Sequence, residues 1–351
     1  MFYYALMVSI TEIADMAGVS PATVSRTLTK SAKVSDETLA RIEEAMEKSG
    51  YSLEIHRKRN NSRVARVKNI AFLILSRDVL QDYSSSFNKT TRAVSSAIIQ
   101  SHANMIHAYV DKLDNLPPAV ANGTIDGLVL SGSCSDDQVM KMISGIPKVW
   151  LSSHREGEMV LPLVGNEGIG KMAAGYLSRR GHKKIAFLNA FSEHLAMATR
   201  SDFFEFYARK NDVDVELFTK RNREKTYNSI HEIKHALEEL IDQWASQPSR
   251  ATGLFIPLDI QVAICYEILA AKGIKAGIDV DIIGCDNDEA ALMGLSPKPA
   301  TIEIGAAAMG YRAVQELMWR IDNPHAKKHD SVTVVVEPKL VPGGVTDFFV
   351  K

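Results

Sequence analysis

The sequence predicts a small all-α domain at residues 9–51, followed by an α/β body of two doubly wound parallel-sheet subdomains. Three helical patterns lie close together near the start of the chain, and a basic stretch separates them from the body. From residue 69 onwards, short apolar runs alternate with helical patterns. Continuous apolar strands separated by helices are typical of parallel sheets covered on both faces, and so many units favour two sheets over one.

The all-α domain is predicted from signals that start and stop helices. They are, in chain order, a capping box at Ser9 and Glu12, a turn glycine at Gly18, an N-cap and first-position proline at Ser20 and Pro21, and a third N-cap at Ser35. The second helix is predicted to run from Pro21 to about Thr29. The apolar positions that we expect to face inward are Ile10, Ile13, Ala14, Ala17, Val19, Val24, Leu28, Leu39, Ile42, Ala45 and Met46. The tight turn between the first two helices predicts a helix-turn-helix unit.

The start of the second helix carries side chains that suit nucleic-acid contacts. Arg26 can form a bidentate contact with a guanine edge, short hydroxyl side chains suit phosphates, and Pro21 and Ala22 offer apolar contact to a thymine methyl. The candidate DNA-binding residues are Ser20, Pro21, Ala22, Thr23, Ser25, Arg26, Thr29, Lys33, Arg57 and Arg59. Helix-turn-helix spacing is common, and a small helical bundle without a nucleic-acid role is the alternative.

Charge is distributed unevenly along the chain. Residues 1–68 carry 11 Lys and Arg against 8 Asp and Glu, whereas the remainder carries 30 against 34. The predicted hinge or linker, residues 52–68, contains the run HRKRNNSRVARVK, which has no acidic residue. A basic run is in general a solvated segment, but directly after a helix-turn-helix it favours contact with phosphates.

Composition excludes several classes of protein. Cys134, Cys265 and Cys285 are scattered without pairing or metal-ligand spacing, which indicates a reducing compartment. No apolar run reaches membrane-spanning length, and the short start MFYYALM lacks the basic lead of a signal peptide. We therefore expect a cytoplasmic protein without a membrane partner. Residues 1–8 are predicted to be a disordered lead, with Met1 or Met7 as the start.

The body is predicted from its alternating elements. The predicted strands are 70–75, 104–110, 127–132, 147–153, 184–190, 214–217, 253–257 and 281–284. The predicted helices are 86–101, 166–180, 196–210, 228–245 and 259–272. Ligands of such sheets bind beyond the carboxyl ends of the strands, in the crevice between two lobes.

Several motifs point to one family. The DNA-binding part carries the run I-A-x-x-A-G-V-S-x-x-T-V-S-R as Ile13, Ala14, Ala17, Gly18, Val19, Ser20, Thr23, Val24, Ser25 and Arg26. The body carries GHKKIAFL at 181–188, Asp259 before a helix, IIGCDN at 282–287, PKPATIEI at 297–304 and LVPGGVT at 340–346. Together these motifs resemble the lactose-repressor (LacI/GalR) family of bacterial transcription regulators, and the resemblance extends over nearly the whole chain.

The resemblance implies a periplasmic-binding-protein-like fold for residues 69–351. Its N-subdomain would comprise about 69–162 and 304–322, and its C-subdomain about 163–290 and 330–351. The chain would cross between them near 161–163, near 288–293 and after Asp322. The family also implies a homodimer that binds a near-palindromic double-stranded DNA operator under the control of a small effector in the cleft.

The family's ligand-binding positions match three charged residues of this chain. They are Arg200, Asp259 and Asp286, and the candidate effector-binding set is completed by Ser152 and Ser76. A guanidinium and carboxylates at strand ends can pair with vicinal hydroxyls, which favours a sugar or sugar derivative. An exposed loop charge or a helix cap is the alternative for each, and Asp259 at a helix start is explained equally well as a cap.

The linker departs from the family pattern. In the family, a short linker helix places a leucine in the minor groove and kinks the DNA. The corresponding position here is Asn60, and the A-R-x-L of the family's linker is only partly matched at Ala65-Arg66-Val67. Either Val67 is a weaker wedge or this protein kinks DNA little. A linker that is merely basic and flexible is an equal alternative.

Three further patterns are interpreted as structural. HEIKH at 231–235 matches a zincin pattern, but its histidines lie opposite the helix's apolar stripe, so no metal site is predicted. The glycines at 165, 168 and 170 have the dinucleotide spacing reversed, so they are interpreted as turn and helix-packing positions and no cofactor is predicted. The aromatic residues expected in a helix core are Phe203, Phe204, Phe206 and Tyr207.

The sequence thus predicts a ligand-controlled DNA-binding regulator, a repressor rather than an enzyme. The main alternative is a sugar-binding or sensor protein of the same body fold that does not bind DNA, but it would need export, and no signal is visible. An enzyme would need a nucleophile or base constellation at the strand ends, and no convincing one is found.

Overall fold

A computed structural model of the chain describes residues 10–28, 34–49, 67–75, 84–132, 136–152, 163–191, 194–220, 229–324 and 334–344. The chain divides into two compact units, Met1–Val67 and Lys68–Lys351. The predicted lead at 1–8 and the linker up to residue 66 lie outside the described residues. In the described part of the chain, no helix combines the length and the hydropathy that crossing a membrane requires.

The first unit contains the three predicted helices. They are α1 (Ile10–Ala17), α2 (Pro21–Leu28) and α3 (Asp36–Ser49). Their buried side chains form one small core of Ile13, Ala14, Ala17, Val24, Ile42 and Ala45, with Val19 and Met46 partly buried against it. The inward-facing positions are confirmed for these residues. The side chains of Ile10 and Leu28 lie outside those described.

Leu39 does not face inward as predicted. Its side chain is 36% exposed, because it lies in the first turn of α3, one turn before Ile42, the first buried residue of that helix. The apolar stripe therefore begins later along α3 than its sequence period indicates.

The second unit is built on two parallel sheets of four strands each. The first sheet contains β1 (Asn69–Ile74), β2 (Asn104–Tyr109), β3 (Gly127–Ser131) and β4 (Lys148–Ser152) in the order β2-β1-β3-β4. The second contains β6 (Lys184–Asn189), β7 (Asp214–Thr219), β8 (Gly253–Phe255) and β9 (Asp281–Ile283) in the order β7-β6-β8-β9. All neighbouring strands are parallel, which confirms the two predicted sheets. We call the parts built on them the first lobe and the second lobe.

Helices supply the outer layers of both lobes. They are α4 (Ser85–Gln100), α5 (Pro118–Ala121), α6 (Asp137–Met142), α7 (Asn166–Arg179), α8 (Leu195–Lys210), α9 (Ile230–Ala245), α10 (Asp259–Ala271), α11 (Glu289–Leu292) and α12 (Ala306–Asp322). Each sheet carries a separate apolar core on either face. Strands buried on both faces explain why their sequences are continuously apolar rather than alternating.

Four short strands were not predicted from the sequence. They are β5 (Leu163–Val164), which pairs in parallel with β11 (Val335–Val336), and β10 (Thr301–Glu303), which pairs antiparallel with β12 (Lys339–Val341). Segments of two or three residues are too short to show a strand period.

We predicted that the chain leaves the second lobe near 288–293, and this prediction was wrong. Asp286 N donates to Ile302 O at 2.8 Å, so β10 still lies at the edge of the second sheet. The passage occurs along α12 instead, because Met309 lies in a second-lobe core whereas Val314 and Leu317 lie in a first-lobe core. Because β10 belongs to the second lobe, the chain crosses to the first lobe later than predicted.

A close helix contact in the second lobe positions residues of the site. A Cβ built on Gly170 of α7 would lie 2.6 Å from Phe204 N and 2.8 Å from Arg200 O of α8. Glycine thus lets the two helices approach backbone to backbone. Gly165 and Gly168 leave room for the ring of Pro338, because a Cβ on either glycine would lie 2.9–3.0 Å from a ring carbon. The packing interpretation of these glycines is confirmed.

Candidate functional site

The turn between α1 and α2 is closed by backbone and side-chain hydrogen bonds. Gly18 adopts a positive φ of 65°, and Val19 N donates to Ala14 O at 3.0 Å. Ser20 Oγ accepts from Thr23 N at 3.1 Å and lies 2.8 Å from Thr23 Oγ1. The predicted N-cap at Ser20 is confirmed, and its hydroxyl already has partners within the helix start.

One face of α2 is exposed and carries most of the candidate DNA contacts. Pro21, Ala22, Ser25 and Arg26 are exposed, whereas Val24 on the opposite side is fully buried. Residues four apart on a helix are neighbours, so these four side chains form one continuous surface. The remaining candidates Thr29, Lys33, Arg57 and Arg59 lie outside the described residues.

Three predicted ligand residues come together at the carboxyl ends of the second-lobe strands. Arg200 projects from α8, Asp259 opens α10 after β8, and Asp286 follows β9. Arg200 Nη1 lies 3.8 Å from Asp286 Oδ1 and donates to Pro257 O at 2.7 Å, while its Nε donates to Asn166 Oδ1 at 3.1 Å. The guanidinium is only 3% exposed, so it is held inside the lobe rather than at its surface.

The Asp259 carboxylate connects the start of α10 to the turn after β9 and to β10, and it does not cap α10. Leu258 occupies the N-cap position of that helix, without a side-chain cap bond. The Asp259 carboxylate is completely buried, and it accepts hydrogen bonds from Asp288 N at 2.8 Å and from Thr301 Oγ1 at 2.8 and 2.9 Å. Burial raises its pKa well above the ordinary value, and the charge of Asp286 raises it further. The helix-cap alternative was wrong, because the turn after β9 and β10 take up these oxygens.

Asp286 has an unusual backbone and an unusual charge state. Its φ is 103°, a region that side chains other than glycine rarely adopt. Burial raises the pKa of Asp286 to about 7 although Arg200 opposes the rise, and the charges of Asp288 and Glu303 add to it. Near neutral pH its carboxyl group therefore exists in both forms, and it can donate as well as accept a hydrogen bond.

A cavity of about 960 Å³ lies beside this cluster. Its lining comes from α7 and α8, from β4, β5 and β11, and from the segment after β11. The polar lining residues include Asn166, Glu167, Lys171, Arg179, His194, Thr199 and Glu337, and the apolar ones include Leu151, Val164, Met172, Phe203 and Pro338. Its volume lies within the range typical of small-molecule sites.

The cavity and the predicted ligand residues meet at Asn166. Arg200, Asp259 and Asp286 do not line the cavity, whereas Asn166 both lines it and accepts from Arg200. Ser152 ends β4 next to the lining residue Leu151, and Ser76 lies outside the described residues. Sequence reasoning missed Asn166, although a polar residue directly after a glycine at a strand-to-helix junction is a signal that could have identified it.

The patterns interpreted as structural have mixed outcomes. His231 and His235 are exposed as predicted, and no group of three potential metal ligands occurs in the described part of the chain. Of the aromatic residues expected in a helix core, Phe204 is fully buried. Phe206 is 58% exposed, so the prediction was wrong there, because α8 buries only the side that faces α7 and the sheet.

Comparison with known proteins finds similarity in both units of the chain. Residues 9–53 match the model of the bacterial regulatory proteins of the lacI family, and residues 174–346 match the periplasmic binding protein-like domain. The HTH-type transcriptional repressor PurR of Mannheimia succiniciproducens is 26% identical over 95% of this chain and 97% of its own length. The HTH-type transcriptional regulator MalR of Streptococcus pneumoniae is 28% identical over 95% of this chain and 99% of its own.

Solved structures show the same fold. The transcriptional regulator CelR in complex with cellobiose superimposes with a TM-score of 0.64 at 20% identity, covering 96% of this chain and 99% of that one. The lac repressor dimer bound to operator and an anti-inducer superimposes with a TM-score of 0.64 at 18% identity, covering 97% and 99%. The relatives are regulators of transcription rather than enzymes, as the sequence predicts.

Proposed function

We propose that a small polyhydroxy effector bound in its second unit controls this chain, a DNA-binding transcriptional repressor with the helix-turn-helix domain of the lacI family and a periplasmic binding protein-like domain. The observation that carries this proposal is the meeting of the Arg200–Asp286 pair with a cavity of about 960 Å³ at Asn166. The effector then changes the affinity for DNA by the same factor by which DNA changes the affinity for the effector, as linkage requires.

The exposed face of α2 is the proposed DNA-reading surface. Arg26 reads a base edge, Pro21 and Ala22 contact a thymine methyl, and Ser25 contacts phosphate. The hydroxyls of Ser20 and Thr23 lie 2.8 Å apart within the helix start, so we assign them first to the cap and second to phosphate. The chain acts as a homodimer whose two reading helices enter successive major grooves of a near-palindromic operator.

The chemistry of the second unit favours a sugar or sugar derivative. Polar side chains that line the cavity, among them Asn166, Glu167 and Lys171, offer both donors and acceptors to neighbouring hydroxyls. Asn166 connects the cavity to the Arg200–Asp286 pair. The apolar side chains that line the cavity offer contact to a ring face. A cellobiose complex is known for the structural relative CelR, which supports the same class of ligand here.

The DNA-reading role is tested with duplexes selected by the wild-type protein from a random library. Arg26→Ala is expected to weaken binding and to relax the preference at one base position, a loss of roughly 1–3 kcal/mol of discrimination. Arg209→Ala is the matched control, because that arginine is exposed in the second unit and pairs only with Glu205 among the described residues. An equal loss of affinity for all duplex sequences would show that Arg26 contacts only phosphate. Absence of any salt-sensitive duplex preference in the wild type would refute the DNA-binding function.

The effector is tested by a thermal-shift screen of the full-length protein. The panel contains mono- and disaccharides, aldonic acids and purine bases. A ligand raises the melting temperature by mass action, and it should also change the affinity for the selected duplex. Stabilisation by purine bases alone would contradict the polyhydroxy class.

A further inference from the structure

The first turn of α4 in the first lobe contacts the turn after β9 in the second lobe. Ser85 N donates to Asp288 Oδ2 at 2.8 Å, Ser86 Oγ donates to Asp286 O at 3.2 Å, and Lys89 Nζ donates to Asn287 O at 3.2 Å. Three consecutive residues of the second lobe are thus held by three donors of the first. We call residues 85, 86 and 89 together with 286–288 the clasp.

The second-lobe side of the clasp is conformationally strained. Asp286 and its neighbour Asn287 both have positive φ, 103° and 49°, although neither is glycine. Such conformations cost free energy and persist only where the surroundings hold them in place. Part of that hold comes from the second lobe itself, since Asp286 N donates to Ile302 O at 2.8 Å and Asp288 N donates to Asp259 Oδ2 at 2.8 Å. Asn287 also donates within the second lobe, from N to Thr301 Oγ1 at 3.3 Å and from Nδ2 to Glu303 Oε2 at 3.1 Å. The α4 donors add to this hold.

Asp286 belongs to the clasp and to the proposed effector site at once. Its carbonyl oxygen accepts from Ser86 of the first lobe, while its carboxylate faces Arg200 at 3.8 Å in the second. A rotation of one lobe against the other that separates α4 from this turn therefore removes part of what holds Asp286 opposite Arg200. The side chain that pairs with Arg200 and the contact between the lobes are therefore parts of one turn.

We propose that the clasp is the regulatory element that couples effector occupancy to the arrangement of the two lobes. This inference rests on the proposed function and specifies how its site is controlled. The clasped arrangement preorganises Asp286 for the effector, so the effector in turn favours the clasped arrangement. Weakening the clasp lowers effector affinity and reduces the response of DNA binding to the effector, although no residue of the effector pair is changed.

Ser85→Pro cuts one clasp bond with little other change. Ser85 is the first residue of α4 after the N-cap Ser84, a position where proline suits a helix and its missing N–H is not needed by the helix. Ser84 has φ −84° and ψ 116°, the extended conformation that a residue before proline prefers. Within the described structure the Ser85 hydroxyl has no hydrogen-bond partner, so its loss leaves nothing unsatisfied. Ser85→Ala is the matched control, because it removes the hydroxyl and keeps the N–H.

The deciding experiment is native-state hydrogen exchange of the full-length protein, without ligand or DNA. We expect the amides of residues 286–288 to exchange at least about tenfold faster in Ser85→Pro than in Ser85→Ala, because a hydrogen bond to a carboxylate is lost. Amides of β6, in the centre of the second sheet, should exchange equally in both. Equal exchange at 286–288 would mean that the second lobe alone holds the turn, and would overturn the proposal.

Two further measurements guard against misinterpretation. Ser86→Ala removes a second clasp donor without introducing proline and should accelerate exchange at the same turn, so it decides the question if Ser85→Pro unfolds α4. Any saccharide that stabilises the wild type should bind Ser85→Pro about tenfold more weakly than Ser85→Ala. Equal binding in the presence of a loosened turn would refute the coupling. The proposed function fails separately, if no saccharide stabilises the wild type at all.

Discussion

Replacing Asp286 by asparagine tests the charge state of the buried pair. Asparagine has nearly the same shape, tolerates positive φ better than most residues and does not ionise. Burial raises the pKa of Asp286 from an ordinary 3.8 to about 7, against the opposing charge of Arg200. The folded protein therefore retains a proton over a pH range in which the unfolded chain has lost it.

The direction of the pH dependence is set by this difference. Because the folded pKa is the higher one, the stability contributed by the proton is fully present below pH 3.8 and is lost as the pH rises through about 7. The whole interval corresponds to about 4 kcal/mol, and the part between pH 5 and pH 8 to about 3 kcal/mol. Asp259 adds to this pH dependence, because the charge of Asp286 also raises the pKa of Asp259. The asparagine variant removes that charge.

The assay is urea unfolding followed by tryptophan fluorescence, since all three tryptophans of the chain lie in the second unit. The free energy of unfolding of Asp286→Asn should rise relative to the wild type by about 3 kcal/mol between pH 5 and pH 8. Asp202→Asn is the control, because that aspartate is exposed on the same helix as Arg200. A difference between variant and wild type that is the same at both pH values would refute the raised pKa.

Three substitutions test the packing that positions the sites. Gly170→Ala should lower the free energy of unfolding by roughly 1–3 kcal/mol, because its Cβ would overlap the backbone of α8, whereas Gly145→Ala, with open space around it, should have little effect in the same urea titration. Ile42→Ala should lower the free energy of unfolding by roughly 2–5 kcal/mol, as measured by the helical circular-dichroism signal, and Leu39→Ala by clearly less, because Leu39 is partly exposed. Equal losses would contradict the burial described for α3. Ser20→Ala should cost about 1 kcal/mol by the same signal, through loss of the cap on α2, and no loss would contradict that cap.

The layout of the fold could be predicted because the signals behind it are local and repeated. Eight apolar runs bounded by turn residues became the eight strands of the two sheets, and Ser20 and Pro21 marked the start of α2 within one residue. Strands of two or three residues such as β5 and β10 carry no period, so the point at which the chain crosses between lobes was misplaced. The exposure of Leu39 and Phe206 depends on where a neighbouring element ends, which no pattern within a single helix contains.

The site could be predicted only in its charged members. Arg200 and Asp286 were expected together, and the structure brings them to 3.8 Å because α8 begins and β9 ends at the same edge of one sheet. What the sequence did not indicate is how far each is buried or which partners surround it. Asp259 matched a ligand position by its place in the chain, yet Thr301 and Asp288, 42 and 29 residues away, take up its oxygens. Contacts of that separation come from the tertiary fold.

Asn166 determines how a ligand in the cavity can reach the buried pair. The Arg200 guanidinium is fixed from two sides, by Asn166 Oδ1 at 3.1 Å and by Pro257 O at 2.7 Å, so it does not enter the cavity while both bonds hold. A ligand must then either displace the Asn166 side chain, replacing one hydrogen bond to Arg200 by another, or bind the Asn166 amide and act on Arg200 through it. Asn166 opens α7 directly after β5, the strand that pairs with β11. By either route, Asn166 connects the cavity through Arg200 to Asp286, in the turn that contacts the first lobe.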